Sequence, residues 1–162
     1  MKALFIGGTG TISTAITQLA VERGIELTLL NRGNRSEIVP KEARILKADI
    51  NDEEYVKSLL SHEKFDVVAD FIGFIPDQVK RDIRLFSDKT DQYIYISSAS
   101  AYQKPMSHYF ITESTPLANP SWQYSRDQIA CEHVLMEEYR NTGFPVTIVR
   151  PSHTYGLSLI HI

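Results

Sequence analysis

The segment Gly7-Gly8-Thr9-Gly10 follows a short apolar run, and its spacing Gly8-x-Gly10-x-x-Ser13 carries a definite chemistry. Glycine in such a turn takes backbone angles that a Cβ forbids, and its bare backbone lets a phosphate come close. A helix opening at that point offers unpaired N–H groups and the positive end of its dipole, so an anion is held by backbone alone. Gly7, Gly8, Thr9 and Gly10, with the first helical residues Thr11 and Ile12, are therefore assigned to a dinucleotide pyrophosphate. Ser13 stands where the fingerprint has its third glycine, whose task is close helix–strand packing, and serine is small enough to serve. A plain glycine turn is the alternative; the position between a strand and a helix favours nucleotide binding. About twenty residues on, a carboxylate suits a ribose 2′-hydroxyl and an arginine suits a 2′-phosphate. Here Asn31-Arg32 is followed by Arg35, with no Asp or Glu among them. That favours NADP(H) over NAD(H), unless both arginines are simply solvated loop charges.

These residues need elements to position them. Residues 2–6 read as a strand, and Ile12, Ile16, Leu19 and Ala20 recur at helical spacing up to Gly24. Strands are expected at 25–30, 43–48, 65–71, 92–96 and 146–149. Helices are expected at 52–60 with Tyr55, Val56, Leu59 and Leu60 inward, at 76–86 with Val79, Ile83 and Phe86 inward, and at 121–140. Apolar strands alternating with amphipathic helices predict an α/β doubly wound fold: a parallel sheet in the order 3-2-1-4-5-6 with helices on both faces. The irregular stretch 99–120 is longer than ordinary connections, which points to a functional or disordered loop.

Composition narrows the function classes. The chain has 162 residues, 43% of them hydrophobic and 23% charged, as expected of one globular domain. The net charge of −3 comes without any lysine/arginine block, which argues against nucleic acid or a membrane surface as partner. The single cysteine, Cys131, and the lack of a signal peptide point to a reducing, cytoplasmic compartment. No apolar run approaches the roughly 20 residues of a membrane span.

Residues 96–102, Ile-Ser-Ser-Ala-Ser-Ala-Tyr, and the helix opening Trp122-Gln123-Tyr124-Ser125-Arg126-Asp127-Gln128 add a family likeness. With the Gly-Gly-Thr-Gly turn, the Asp49-Ile50 pair, residues 111–117 (Ile-Thr-Glu-Ser-Thr-Pro-Leu) and residues 150–156 (Arg-Pro-Ser-His-Thr-Tyr-Gly), the chain resembles the NAD-dependent epimerase/dehydratase family, the extended short-chain dehydrogenases/reductases. The resemblance spans residues 1–156 and implies a Rossmann NAD(P)-binding domain. It also implies that Ser98 hydrogen-bonds the reacting oxygen of a sugar nucleotide or related substrate, and that Tyr124 moves that oxygen's proton as hydride passes to or from nicotinamide. Asp49 and Ile50 would contact adenine, while Phe71, Ile72 and Gly73 with Pro151 and His153 would line the nicotinamide end. Members often dimerise by packing the Tyr124-type helix and its neighbour into a four-helix bundle, so the resemblance implies a homodimer seam here.

Where the family has Tyr-x-x-x-Lys, this chain has Tyr124-x-x-x-Gln128. The i, i+4 spacing puts both side chains on one helix face within reach of a cofactor ribose. The neutral amide can donate to ribose but cannot lower a phenol pKa near 10 as an ammonium does. Binding is expected to survive where turnover suffers. A second reading follows: a non-catalytic NAD(P)-binding regulator or an RNA-associated relative. Ser98 and Tyr124 together speak against it, since a pure binder needs neither.

The remaining candidates read blandly. His62, His108, His133 and His153 lack metal-ligand spacing with Cys131 or carboxylates, and no metal site is assigned. Cys131 reads as packing, Ser97 and Ser100 as turn residues, and Asp49, Asn51 or Asp52 as the cap of the helix at 52–60. Trp122, Phe110 and Tyr109 either line a substrate mouth or cover the sheet edge. Leu157-Ser158-Leu159-Ile160-His161-Ile162 reads as a non-native tail on a frame truncated before its substrate domain, with a genuine apolar tail as the alternative, and the piece is expected to be inactive by itself.

Overall fold

The computed structural model describes residues 1–154, so the expected tail at 157–162 lies outside the described residues. Six strands, β1 (Lys2–Ile6), β2 (Glu26–Asn31), β3 (Arg44–Lys47), β4 (Phe65–Asp70), β5 (Thr90–Ile96) and β6 (Val146–Val149), pair in parallel in the order β3-β2-β1-β4-β5-β6. The helices are α1 (Thr11–Glu22), α2 (Glu53–Leu59), α3 (Pro76–Phe86) and α4 (Gln123–Thr142). Right-handed crossovers carry the chain outward in both directions from β1, which opens a crevice at the carboxyl ends of β1 and β4.

Alternate strand residues bury into two separate cores. Leu4 and Ile6 of β1 join Val56, Leu60, Val79, Phe86 and Leu135 under α2, α3 and α4. Ala3 and Phe5 join Leu27, Leu29 and Ala20 under α1. Helices thus cover both faces, unequally among the described residues: three on one side and one on the other. Val149 and Thr147 of β6 are consequently exposed.

Two expected inward faces are corrected. The buried stripe of α1 is Ser13, Thr17 and Ala20, whereas Ile16 and Leu19 are exposed. The helix must approach the glycine turn closely, so small residues face it, and Thr17 Oγ1 donates to the Gly8 carbonyl (2.9 Å). Tyr55 is exposed as well, being about 100° around α2 from Val56. The stretch after β5 is ordered against itself: Tyr102 and Leu117 form an antiparallel bridge, and Asn119 ties it to Ser100 and Ser125.

Leu4→Ala is expected to cost about 3 kcal/mol, since Leu4 is fully buried among side chains that cannot close the gap. Ile16→Gln should cost less than about 0.5 kcal/mol because its side chain already meets solvent. Urea unfolding of the two variants beside the parent checks both.

Candidate functional site

A cleft of about 610 Å³ lies at the carboxyl ends of β1, β2 and β4. Its walls are Gly7, Gly8, Thr9, Gly10, Ser13, Asn31, Arg32, Arg35, Asp49, Ile50, Asn51, Phe71, Ile72 and Phe74, among others. Gly7 and Gly8 have φ of 104° and 85°, in the region that disfavours side chains. A Cβ on Gly8 would come within 2.7 Å of Leu29 Cδ2. Ser13 Oγ accepts from the Gly10 N–H (2.8 Å), leaving the first-turn N–H groups of Thr11 and Ile12 at the open end of α1. Thr11 itself is exposed and Ile12 half-buried.

The side chains at the ends of β2 and β3 divide their tasks. Asn31 donates to the Gly7 carbonyl (3.3 Å) and accepts from the Gly33 N–H (2.8 Å), so it shapes the turn. Arg32 and Arg35 are exposed on the cleft, and Arg35 Nη1 donates to the Thr9 carbonyl (3.3 Å). Asp49 accepts from the Asn51 backbone and side-chain amides at 2.9 Å, whereas Asp52 caps α2 through the Tyr55 N–H. Ile50 is buried against the cleft floor.

Ser98 follows β5, and its hydroxyl accepts from the Ser100 N–H (3.1 Å). Tyr124, in the first turn of α4, stacks between Trp122 (5.0 Å) and Phe74 (6.5 Å), and Phe74 extends the cleft wall toward it. Burial pushes the Tyr124 phenol above its usual value, while hydrogen bonding with Ser98 pulls it back. Gln128 departs from expectation. It is fully buried, with Oε1 3.0 Å from the Tyr95 hydroxyl, which also lies 2.9 Å from the Gly73 carbonyl. Gln128 Nε2 has no partner among the described residues. The amide is therefore turned into the protein interior, and reaching a ligand requires its side chain to move.

Sequence reasoning missed the two groups that hold this edge together. One is Asp70 at the end of β4, whose Oδ1 accepts from the N–H groups of Ile72 (2.9 Å) and Gly73 (3.0 Å). Asp82, on the apolar face of α3 between Val79 and Phe86, is buried beside it. A carboxylate at that point of the helical period was the available signal. The other is Glu132, on the same row of α4 as Tyr124 and Gln128. Glu132 is 1% exposed and takes a forked pair from Arg150 Nε and Nη2 (2.9 and 2.6 Å) and a hydrogen bond from Ser97 (2.5 Å). Arg150 Nη1 also donates to the Tyr102 hydroxyl (3.1 Å). This clamp joins α4, the end of β6 and the turn carrying Ser98.

Other candidates lie apart. Pro151 is half-buried and its carbonyl accepts from the Ala99 N–H (2.9 Å), whereas His153 is exposed. Tyr109, Phe110 and Trp122 are exposed. Cys131 is buried, and burial pushes its thiol to about 11. Among the described residues no group of three or more His, Cys, Asp or Glu is placed to hold a metal ion, and no helix is long and apolar enough to cross a membrane.

A parallel sheet of this order, with a glycine turn and a helix N-terminus at its switch point, is a Rossmann fold. Residues 3–159 match the NAD dependent epimerase/dehydratase family, and the chain belongs to it. It is 28% identical to a UDP-glucose 4-epimerase of Lactobacillus helveticus, over 98% of this chain and 53% of that protein. It is 36% identical, over 64% of this chain and 30% of the relative, to the chloroplast stem-loop binding protein of 41 kDa b of Arabidopsis thaliana. Among solved structures, dTDP-glucose 4,6-dehydratase of Bacillus anthracis in complex with NAD superposes with a TM-score of 0.82 at 18% identity, covering 97% of this chain and 56% of that one. The chain thus spans about half the length, or less, of these relatives.

Removing Arg150 would strand a buried carboxylate. Arg150→Ala is expected to lower stability by about 3–5 kcal/mol, and adding Glu132→Leu should recover much of that. Chemical denaturation of the single and double variants measures it.

Proposed function

We propose that the chain is the NAD(P)-binding part of an oxidoreductase-type epimerase, dehydratase or reductase acting on a sugar nucleotide or a related alcohol or carbonyl compound. The observation that carries this reading is the glycine-lined cleft at the open end of α1, whose wall residue Phe74 packs against Tyr124 with 6.5 Å between ring centres. The cleft fits a dinucleotide: Gly7 and Gly8 turn the chain with positive φ where a Cβ would press on Ile72 and Leu29, and α1 opens onto it with free N–H groups. In this reading Gly7, Gly8, Thr9, Gly10, Thr11 and Ile12 hold the pyrophosphate, and Asp49 and Ile50 flank adenine. Phe71, Ile72 and Gly73, with Pro151 and His153, lie toward the nicotinamide. A bound nicotinamide supplies a hydride acceptor or donor. Ser98 orients the reacting oxygen and Tyr124 holds or moves its proton. Gln128, held by Tyr95 one turn after Tyr124 on α4, adds no positive charge. Relatives with epimerase and dehydratase names suggest the substrate class.

Arg32 and Arg35 on the cleft, with no carboxylate at the end of β2, support NADP(H) over NAD(H). Fluorescence titration should show NADPH binding more tightly than NADH, with the preference falling about tenfold in Arg35→Ala. Equal affinities in parent and variant would remove the 2′-phosphate reading, and no binding of either by folded protein would remove the cofactor reading. Gln128→Lys should lower the Tyr124 phenol pKa by at least about one unit, because an ammonium stabilises phenolate. Ultraviolet titration against a Tyr124→Phe control reads that shift.

A second reading, a non-catalytic nucleotide-binding protein associated with RNA, is favoured by two observations: the 36% identity to a protein named for stem-loop binding, and Gln128. Tight, salt-dependent binding of a stem-loop RNA would support it, and the net charge of −3 weighs against it. The packed pair α3 and α4 is the face we assign to a homodimer seam, which sedimentation equilibrium tests.

A further inference from the structure

Asp70, Asp82 and Tyr93 form a buried cluster with no part in the proton transfer assigned to Tyr124. Each of the three is fully buried. The Tyr93 hydroxyl lies 3.1 Å from Asp70 Oδ2 and 3.1 Å from Asp82 Oδ2. A phenol has one proton to donate, so with both acids ionised one carboxylate oxygen would face a phenol lone pair at hydrogen-bond distance. Charge leads to the same count. Arg81 Nε donates to Asp82 Oδ1 (2.8 Å), which gives one cation for two carboxyl groups in a dry core. One added proton makes the cluster neutral and supplies the missing donor.

Among the described residues the surroundings offer no other cation to replace that proton. From α3, Arg84 is committed to Glu53 of α2 at the surface. From β5 come Tyr93 and Tyr95, whose phenols burial pushes upward, and from α4 comes the buried Cys131 thiol, neutral at pH 7. Burial raises the Asp70 carboxyl, and burial followed by the Asp70 charge raises Asp82 well above the carboxylate range.

The cluster reaches two turns of the cleft. Asp70 holds the N–H groups of Ile72 and Gly73, and the turn is wrapped so tightly that a Cβ on Gly73 would sit 2.2 Å from Asp70 Oδ2. On its other side Arg81 Nη1 donates to Asn51 Oδ1 (2.7 Å), and Asn51 Nδ2 donates to Asp49 (2.9 Å). We propose that Asp70 and Asp82 share one proton across Tyr93 at neutral pH, and that this neutral cluster is the positioning group for the Ile72–Gly73 and Asp49–Asn51 turns of the cleft. The shared proton stands independently of the proposed function; the consequence for dinucleotide binding rests on it.

Asparagine mimics a protonated carboxyl, since its Oδ1 accepts and its Nδ2 donates. Asp82→Asn should therefore fold, with NADPH and NADH affinities closer to the parent's than those of Asp82→Ala. Asp70→Ala, which frees the Ile72–Gly73 turn, should weaken both about tenfold or more, and Asp70→Asn should restore most of it. Three readouts on the full chain test the proton itself. The infrared spectrum at pH 7 should show the carbonyl stretch of a protonated carboxyl, absent in Asp82→Asn. Unfolding at pH 7 should release about one proton more from the parent than from Asp82→Asn. A raised native pKa adds stability that is complete below the unfolded carboxylate value of about 3.9 and is lost as pH rises through the native value. The stability of Asp82→Asn relative to the parent should therefore increase with pH over that window.

Absence of the carboxyl band, equal proton release, or an Asp82→Asn protein as unstable as Asp82→Ala would overturn the shared proton. Unchanged dinucleotide affinity in folded Asp70→Ala would overturn the positioning role. If neither dinucleotide binds the parent, the cofactor reading and the positioning role with it fail, and the infrared and proton-release results still decide the proton.

Discussion

All six strands run in the same direction, so their carboxyl ends share one edge, and along that edge the sheet's hydrogen bonding stops. Backbone groups in the turns beyond must find other partners, because a buried unpaired N–H or carbonyl costs as much as a lost hydrogen bond. The structure meets this constraint with a polar side chain near the end of most strands. Asn31 serves at the end of β2, Asp49 after β3, Asp70 at β4 and Ser98 after β5, while beyond β6 the Pro151 carbonyl is taken by the Ala99 N–H. Beyond β1 the glycine turn is held by Thr17 and Asn31. The residues that could bind or react are thus the same ones that close the sheet's open edge, or their immediate neighbours.

This arrangement concentrates buried charge on one side of the molecule. Asp70, Asp82 and Glu132 lie within the layer covered by α3 and α4, and each is tied to an arginine or a phenol. Buried charges of this kind add little net stability compared with apolar packing, though removing one partner is costly. Their effect is geometric: turns from separate strands are pinned to α3 and α4, so Ser98, Tyr124 and the cleft wall share one rigid frame. Gln128 belongs to this frame through Tyr95 and the Gly73 carbonyl.

Much of the fold was legible from local rules. Every strand and α-helix was anticipated in type and order, with boundaries shifted by two residues at most, because a parallel sheet needs continuous apolar strands separated by amphipathic helices. The strand order followed from crossover handedness. Where local rules failed, packing had overridden hydrophobicity. The α1 stripe turned out to be Ser13, Thr17 and Ala20, since close approach to the glycine turn favours small side chains over Ile16 and Leu19.

The elements, their order and the chemistry of the glycine turn follow from local sequence, because each depends on residues within one or two turns of chain. Which carboxyl groups lie next to each other, and how Gln128 is used, depend on packing. Asp70, Asp82 and Tyr93 come from three elements, and Glu132, Arg150 and Tyr102 from α4 and two separate turns, so their protonation and pairing depend on distances of about 3 Å across that packing. Burial and proximity are properties of the packed molecule, and no spacing along the chain encodes them.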